Sequence, residues 1–153
     1  MYQKILVPVD GSDTSLAGLQ HAILLAKDQQ AAVCLLHVVH DYLLADGRHG
    51  IVKSGELLRE LRERGEEILK DAAALAARQG VASDQQIVES PMGPVGAAIA
   101  EFAERLPADL IVIGTHGRRG LRRLVMGSDA EYVVRTTSVP VLLLRGAKAP
   151  DKA

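Results

Sequence analysis

The segment from Gly114 to Ser128, which reads GTHGRRGLRRLVMGS, carries small residues at a spacing that suits phosphate chemistry. Gly114 and Gly117 stand three positions apart, and after nine more residues Gly127 and Ser128 follow where a helix is expected to begin. Glycines let backbone N–H groups approach a ligand closely and form an anion-binding concavity. A helix start adds unpaired N–H groups and the positive end of a dipole. The segment therefore predicts a site for a phosphate chain.

A plain turn followed by a helix cap accounts for the same residues without any ligand. Ser128 and Glu131 have the spacing of a capping box, in which each side chain bonds a free N–H group of the helix start. The chain also lacks the P-loop pattern G-x-x-x-x-G-K-[ST], and its first turn, DGSDTS, is not G-x-G-x-x-G. The residues alone leave both interpretations open.

Four arginines, Arg118, Arg119, Arg122 and Arg123, follow the glycines on one predicted loop. Guanidinium groups are bidentate partners for phosphate. A nucleic-acid surface is not expected, because the net charge is -1 and the aromatic residues amount to one Phe, three Tyr and no Trp. We expect one or two arginines to contact a phosphate ligand and the others to be solvated or to contact a neighbouring subunit.

Histidine and cysteine do not suggest a metal centre. His37 and His40 are three positions apart on an extended segment and therefore point to opposite faces, so a zinc site is not expected. His37 is expected to be a partly buried polar residue at a strand end. Cys34, the single cysteine, lies among apolar neighbours and is expected to be an inert core thiol.

Five short apolar runs predict the strands that position these residues, at 4–10, 32–39, 85–90, 109–115 and 139–145. Continuously apolar runs are typical of a parallel sheet covered on both faces. Helical periods lie between them at 16–26, 58–75, 97–105 and 130–134, and Asp13 or Thr14 is the expected first N-cap. The segment 41–54 is expected to be a mobile loop. The alternation predicts an open α/β sheet with right-handed crossovers.

Ligands of such sheets bind beyond the carboxyl ends of the strands, where the strand order reverses. If the fourth strand returns to the free side of the first, the turn VDGS after strand 1 faces the loop GTHGRRG after strand 4. The two strand ends that are followed by glycine-containing turns then meet at one crevice.

Composition indicates one ordinary globular domain. The chain has 153 residues, of which 48% are hydrophobic and 24% charged, enough for a substantial core. No apolar run approaches the ~18 residues of a membrane span, and the N-terminus lacks the pattern of a signal peptide. We expect a cytoplasmic protein without a membrane partner, with one domain over 1–146 and a flexible tail over 147–153.

The whole pattern resembles the universal stress protein family. The similarity rests on G-x2-G-x9-G-S followed by SVPVLLLR, and on ILVPVDGS, LLHVV, ESPMGPVGAAIAEFA and ADLIVIGTHGRRGL. It implies an open five-stranded parallel sheet in the order 3-2-1-4-5 with helices on both faces, adenine nucleotide alpha hydrolase-like. It also implies ATP binding and a homodimer through strand 5, Val139–Leu144, whose apolar edge invites pairing.

The resemblance assigns site residues position by position. Asp10 is expected to contact the ribose or the adenine side, and Ser128 to receive the distal phosphates through its hydroxyl and backbone. The adenine side would be lined by Pro8, Val9 and Val38; the ribose and phosphates would be held by Ile113, Gly114, Thr115, His116, Gly117, Arg118, Arg119, Gly120, Gly127, Ser128, Asp129 and Ala130.

Asp129 departs from the family pattern, which commonly has a small apolar residue at that position. A carboxylate at the helix start competes with phosphate for the same N–H groups. Two other roles are open from the sequence: Asp129 holds Mg²⁺, or it is an acid that stabilises the dipole of its own helix.

These features predict an ATP-binding, nucleotide-dependent regulatory module of the stress response, with Mg²⁺ as an optional second ligand and an unknown regulatory protein as partner. A slow ATPase or phosphotransferase is the alternative, although His116, Asp10 and Asp129 form no recognisable catalytic constellation. An interaction domain with a vestigial site is a third hypothesis.

Overall fold

Strands and helices alternate along the computed structural model, which describes residues 1–40, 54–90, 93–115 and 126–145. The expected loop at 41–54, apart from Ser54, and the expected tail at 147–153 lie outside these ranges. The described elements are β1 Lys4–Pro8, α1 Asp13–Gln29, β2 Ala32–Val39, α2 Ser54–Arg78, β3 Ser83–Glu89, α3 Val95–Arg105, β4 Leu110–Gly114, α4 Ser128–Thr136 and β5 Val141–Leu144.

The five strands form one parallel sheet in the order β3-β2-β1-β4-β5, which confirms the predicted fold class. β1 is the central strand: Leu6 is in register with Cys34 of β2 on one side and with Ile111 of β4 on the other. The order reverses between β1 and β4, because the chain first winds outward through β2 and β3 and then returns to the opposite edge of β1.

Alternating strand residues supply two separate cores. Ile5 and Val7 of β1 face Leu19 of α1 and Leu69 of α2, whereas Leu6 faces the cluster that α3 and α4 complete. Each of these large side chains contributes about 1.5 to 3 kcal/mol when it is fully buried. None of the helices within the described ranges combines the length and the apolar character needed to cross a bilayer.

The N-cap of α1 is Ser12, so the prediction of Asp13 or Thr14 is wrong by one or two residues. The Ser12 side chain accepts a hydrogen bond from the backbone N–H of Ser15 at 3.2 Å. The sequence SDT offers three good capping residues in a row, and propensity does not distinguish among them. In the structure the backbone N–H of Ser12 is bonded to Asp10 in the preceding turn, and Ser12 is the residue at the cap position.

Cys34 lies in the β2 part of the α3–α4 core and is 3% exposed. Burial raises the pKa of its thiol to about 11, and the negative charge of Asp84 acts in the same direction, against a smaller opposing effect of Lys4. The thiol therefore stays protonated at neutral pH.

We expect Cys34 to react with iodoacetamide at pH 8 roughly 100-fold more slowly in the folded protein than in urea. In the folded protein the thiol is protonated and the reagent cannot reach it. Mass spectrometry of timed aliquots gives the two rates. Equal rates in the folded and unfolded protein would contradict a buried, protonated thiol.

Candidate functional site

The carboxyl ends of β1 and β4 lie side by side at the point where the strand order reverses. β1 continues beyond Pro8, since the N–H of Val9 donates to the carbonyl of Leu36 at 2.8 Å. β4 ends at Gly114, and the N–H of Thr115 donates to the carbonyl of Leu144 at 2.8 Å. Both predicted walls of the crevice are thus held by backbone hydrogen bonds to the neighbouring strands.

The turn after β1 is fixed around Asp10. One carboxylate oxygen of Asp10 accepts from the N–H of Ser12 at 2.9 Å, and the N–H of Asp10 donates to Ser15 Oγ at 3.4 Å. Gly11 between them has a φ of +80°, in the left-handed region that favours glycine. The turn therefore holds the Asp10 side chain, which is half-buried, at the carboxyl end of β1.

His37 supports this turn from the neighbouring strand. Its side chain is 5% exposed, and Nδ1 lies 2.7 Å from the carbonyl oxygen of Val9. A carbonyl only accepts, so Nδ1 donates the proton of this bond. His37 was expected to be partly buried, and the structure buries it almost completely. Its hydrogen bond fixes the backbone that leads into Asp10.

Gly65 of α2 makes room for the His37 ring. A Cβ added at Gly65 would stand 3.0 Å from His37 Nε2 and closer still to Cδ2. This pair was not predicted from the sequence. The one available signal was a glycine in the middle of the charged helical segment RERGEE, where it costs helix stability and so requires a packing reason.

Gly114 lets the end of β4 approach the first turn of α1. A Cβ at Gly114 would stand 2.9 Å from the carbonyl oxygen and 3.0 Å from Cβ of Thr14. Further along α1, a Cβ at Gly18 would meet the N of Gly114 at 3.7 Å, an ordinary contact. The glycine predicted to approach a ligand thus also allows close packing of α1 on β4.

One short backbone hydrogen bond joins the start of α4 to the end of β4. The N–H of Gly127 donates to the carbonyl of Thr115 at 2.6 Å. Residues 116–125, which include the predicted site residues His116, Gly117, Arg118, Arg119 and Gly120 and the arginines at 122 and 123, lie outside the described residues. Gly114, Thr115, Gly127 and Ser128 are nevertheless placed together.

The capping box predicted for Ser128 and Glu131 is not present. α4 begins at Ser128, its N-cap is Gly127, and no side chain bonds the helix start at the cap position. Glu131 is the fourth residue of the helix, one position too far for the box; its N–H donates to the Gly127 carbonyl, and its carboxylate pairs with Arg135 at 3.9 Å.

The Asp129 side chain forms a hydrogen bond to a neighbouring helix, α3. This contact was not among the roles expected from the sequence. Its Oδ1 accepts from the N–H of Gly96, near the start of α3, at 3.2 Å. Among the residues with described positions, no group of three His, Cys, Asp or Glu side chains is close enough to hold a metal ion. The sequence pattern around Asp129 contained no signal for a contact with α3.

Of the remaining predicted residues, some lie at the edge of the crevice and the others lie in the core. Pro8 and Val38 are half-buried at the ends of β1 and β2. Ile113 and Ala130 are 7% and 2% exposed and belong to the α3–α4 core. Their side chains therefore support the crevice, and only their backbone groups are suited to face a ligand.

The strand order, the turn fixed around Asp10 and the start of α4 beside the end of β4 define an open α/β domain with a candidate site at the reversal of its parallel sheet. The sequence model of the Universal stress protein family matches residues 1–145, and the chain belongs to that family.

Individual relatives agree over nearly the full chain. Universal stress protein MJ0531 of Methanocaldococcus jannaschii is 40% identical over 97% of this chain and 85% of its own length. YxiE of Bacillus subtilis is 33% identical over 95% of this chain and all of its own length. Among solved structures, MJ0577 of M. jannaschii has a TM-score of 0.84 and 26% identity, covering 97% of this chain and 99% of that one.

Two more distant structures hold adenine nucleotides. The universal stress protein from Archaeoglobus fulgidus in complex with dAMP has a TM-score of 0.68 and 23% identity, covering 94% of this chain and 98% of its own. An Arabidopsis thaliana family protein with AMP bound has a TM-score of 0.70 and 17% identity, covering 95% and 93%. At these identities the likeness establishes the fold of this chain.

Gly114→Ala and Gly18→Ala form a matched pair of substitutions on the α1–β4 contact. We expect Gly114→Ala to lower the free energy of unfolding by about 1 to 3 kcal/mol, because its Cβ meets backbone atoms of Thr14. Gly18→Ala should instead be neutral or add up to ~1 kcal/mol, because alanine favours the helix. Urea unfolding followed by circular dichroism measures both, and equal stability of the two variants would refute the close approach at Gly114.

Proposed function

We propose that the crevice between β1 and β4 binds ATP, with Mg²⁺ on its phosphates, and that the chain acts as a cytoplasmic, nucleotide-dependent regulatory module. The observation that carries the proposal is the bond from Gly127 N–H to the Thr115 carbonyl. It brings a helix start without a side-chain cap to the carboxyl end of β4, beside the strand that leads to Asp10. The nucleotides held by the distant relatives, dAMP and AMP, support an adenine ligand.

Each described part of the crevice has a role in this proposal. Asp10, held at the carboxyl end of β1 by its bond to Ser12, accepts hydroxyl protons of the ribose. Pro8 and Val38 line the adenine side, and Val9, whose side chain is 5% exposed, contributes its backbone to that wall. The N–H groups of Ser128, Asp129 and Ala130, with the Ser128 hydroxyl, receive the phosphates at the positive end of the α4 dipole. Gly114, Thr115 and Gly127 keep the backbone close to the phosphate chain.

Binding is favoured over catalysis by the hydrogen bonds of the described carboxylates. Asp10 accepts from Ser12, and Asp129 accepts from Gly96. The proposal assigns Asp10 to the ribose and Asp129 to the start of α3, so neither carboxylate is left in the role of a general base for an attacking water. Recovery of intact ATP after incubation with the protein and Mg²⁺ is the expected result, and sustained release of phosphate would support the ATPase alternative.

Saturating ATP and Mg²⁺ should raise the midpoint of thermal unfolding of the wild-type protein by about 5 to 10 °C at 100 times Kd. Asp10→Asn should weaken ATP binding about 10-fold or more by calorimetry, because one acceptor of the ribose hydroxyls becomes a donor, while one oxygen remains for Ser12. Asp28→Asn, an exposed acid at the far end of α1, is the matched control and should bind as the wild type does.

A wild-type protein with no thermal shift in ATP, AMP or cAMP would overturn the binding proposal and leave the interaction-domain hypothesis. If Asp10→Asn bound ATP as tightly as Asp28→Asn, the assignment of Asp10 to the ribose would fail. Mass analysis of the nucleotide released from freshly purified, denatured protein would show which nucleotide the site selects.

We also propose that two copies pair through β5. β5 is the terminal strand of the sheet on that side, and Leu142 on it and Val134 on α4 are large apolar residues that are 39% and 44% exposed. An apolar edge strand with open backbone groups is a template for pairing with a second chain.

Leu142→Lys should convert the proposed dimer to a monomer, because a buried ammonium group at the strand edge opposes pairing. Light scattering after gel filtration measures the mass. Leu24→Lys, at an α1 residue that is 64% exposed, is the control and should keep the wild-type mass. A wild-type monomer, or a dimer that survives Leu142→Lys, would contradict pairing through β5.

A further inference from the structure

The first turns of α3 and α4 are joined through the side chain of Asp129. Its Oδ1 accepts from the N–H of Gly96 at 3.2 Å, and Gly96 is the second residue of α3. The N-cap of α3 is Pro94, and no side chain makes the usual hydrogen bond from that cap position. A carboxylate oxygen on the second N–H of a helix occupies the place that an Asp or Ser N-cap normally fills. Asp129 thus supplies from α4 the cap that the sequence before α3 lacks.

The backbones at this junction are also in direct contact. A Cβ at Gly96 would stand 2.7 Å from the carbonyl oxygen of Asp129 and 2.8 Å from Cβ of Tyr132. Below the contact, Ile99 of α3 and Val133 of α4 share one core cluster. The two helix starts therefore form one packed unit, and the carboxylate lies at the positive end of the α3 dipole, where a negative charge is stabilised.

We propose that Asp129 is a positioning residue: it caps α3 and thereby couples phosphate binding on the first turn of α4 to the order of the first turn of α3. The coupling rests on the proposed nucleotide site, whereas the cap itself does not. A carboxylate free at the start of α4 would repel phosphate. Bonded to Gly96, the Asp129 carboxylate is compensated by a second helix, and the backbone N–H groups of α4 remain available for the phosphates.

The coupling has a physical consequence on the far side of the contact. Phosphate held by the N–H groups of Ser128 to Ala130 restricts the first turn of α4, and the Asp129 side chain passes that restriction to Gly96. By linkage, a ligand or partner that orders the start of α3 also strengthens phosphate binding. The nucleotide state is then expressed at the first turn of α3, beyond the binding crevice.

Asp129→Ala, Asp129→Asn and Glu131→Ala separate the cap from other roles of the acid. Asp129→Ala removes the acceptor, Asp129→Asn keeps an amide oxygen that can accept from Gly96, and Glu131→Ala removes a neighbouring exposed acid of α4 as the control. Without nucleotide, we expect Asp129→Ala to lower the unfolding midpoint by about 2 to 5 °C and to speed exchange of the Gly96 amide proton about 5-fold or more. Asp129→Asn and Glu131→Ala should stay close to the wild type in both measurements.

The coupling is tested by hydrogen exchange of the Gly96 amide proton, resolved by NMR, with and without saturating ATP and Mg²⁺. ATP should slow this exchange in the wild type and in Glu131→Ala, and should have little effect in Asp129→Ala. Unchanged Gly96 exchange in Asp129→Ala without ATP would overturn the cap. ATP binding that leaves wild-type Gly96 exchange unaltered would overturn the coupling alone.

A metal role for Asp129 gives a different pattern. It would weaken ATP binding in both Asp129→Asn and Asp129→Ala when Mg²⁺ is present, with no difference from the wild type in EDTA, and that result would overturn the positioning role. Absence of any ATP binding by the wild type would overturn the proposed function and the coupling with it. The cap would be unaffected by that result, because it is tested by the exchange measured without nucleotide.

Discussion

The close approach of α1 to the end of β4 is the constraint on which the crevice depends. Gly114 has no side chain, and a Cβ there would meet the backbone of Thr14 at 2.9 Å. Because β1 and β4 are paired in the sheet and α1 follows the turn after β1, this contact sets how closely the first turn of α1 lies against the end of β4. The same glycine puts no side chain at the end of β4, where a ligand is proposed to lie, so one residue serves both the packing of the scaffold and the proposed site.

A second set of contacts holds the crevice from the β2 side of β1. His37 on β2 donates to the carbonyl of Val9, and α2 presents Gly65 to the ring of His37. The residue after Val9 is Asp10, so a helix with a highly charged outer surface contributes to the position of the acid without contacting a ligand. Buried polar groups of this kind specify one backbone path, since the carbonyl has no water to accept from if the ring moves.

Local patterns in the sequence were sufficient for the strands, the alternation and the spacing of the glycines. The five strands were located within a few residues because short, continuous apolar runs between helical periods are typical of buried parallel strands, and the strand order came from the resemblance to a family. The end of β4 and the start of α4 lie together, as Thr115 and Gly127 show, because strand and helix ends meet at the reversal of a parallel sheet; the assignment of these residues to phosphate stays a prediction.

Contacts between distant elements were beyond those patterns. Asp129 was compared with its own helix and with a metal, but its hydrogen bond goes to Gly96, 33 positions earlier. The capping box failed for a related reason: the backbone bond from Gly127 to Thr115 sets the first residue of α4, and this shifts Glu131 out of position. Capping motifs describe a helix in isolation, whereas tertiary bonds choose where the helix starts.

His37 and Gly65 also limit how the sequence of this domain can change. A Cβ at position 65 would overlap the imidazole, so even alanine there forces the ring of His37 or the helix to move. Such a move strains the bond from His37 to the Val9 carbonyl. A helix on the outside of the sheet thus influences which side chain fits at a buried position of a strand beneath it.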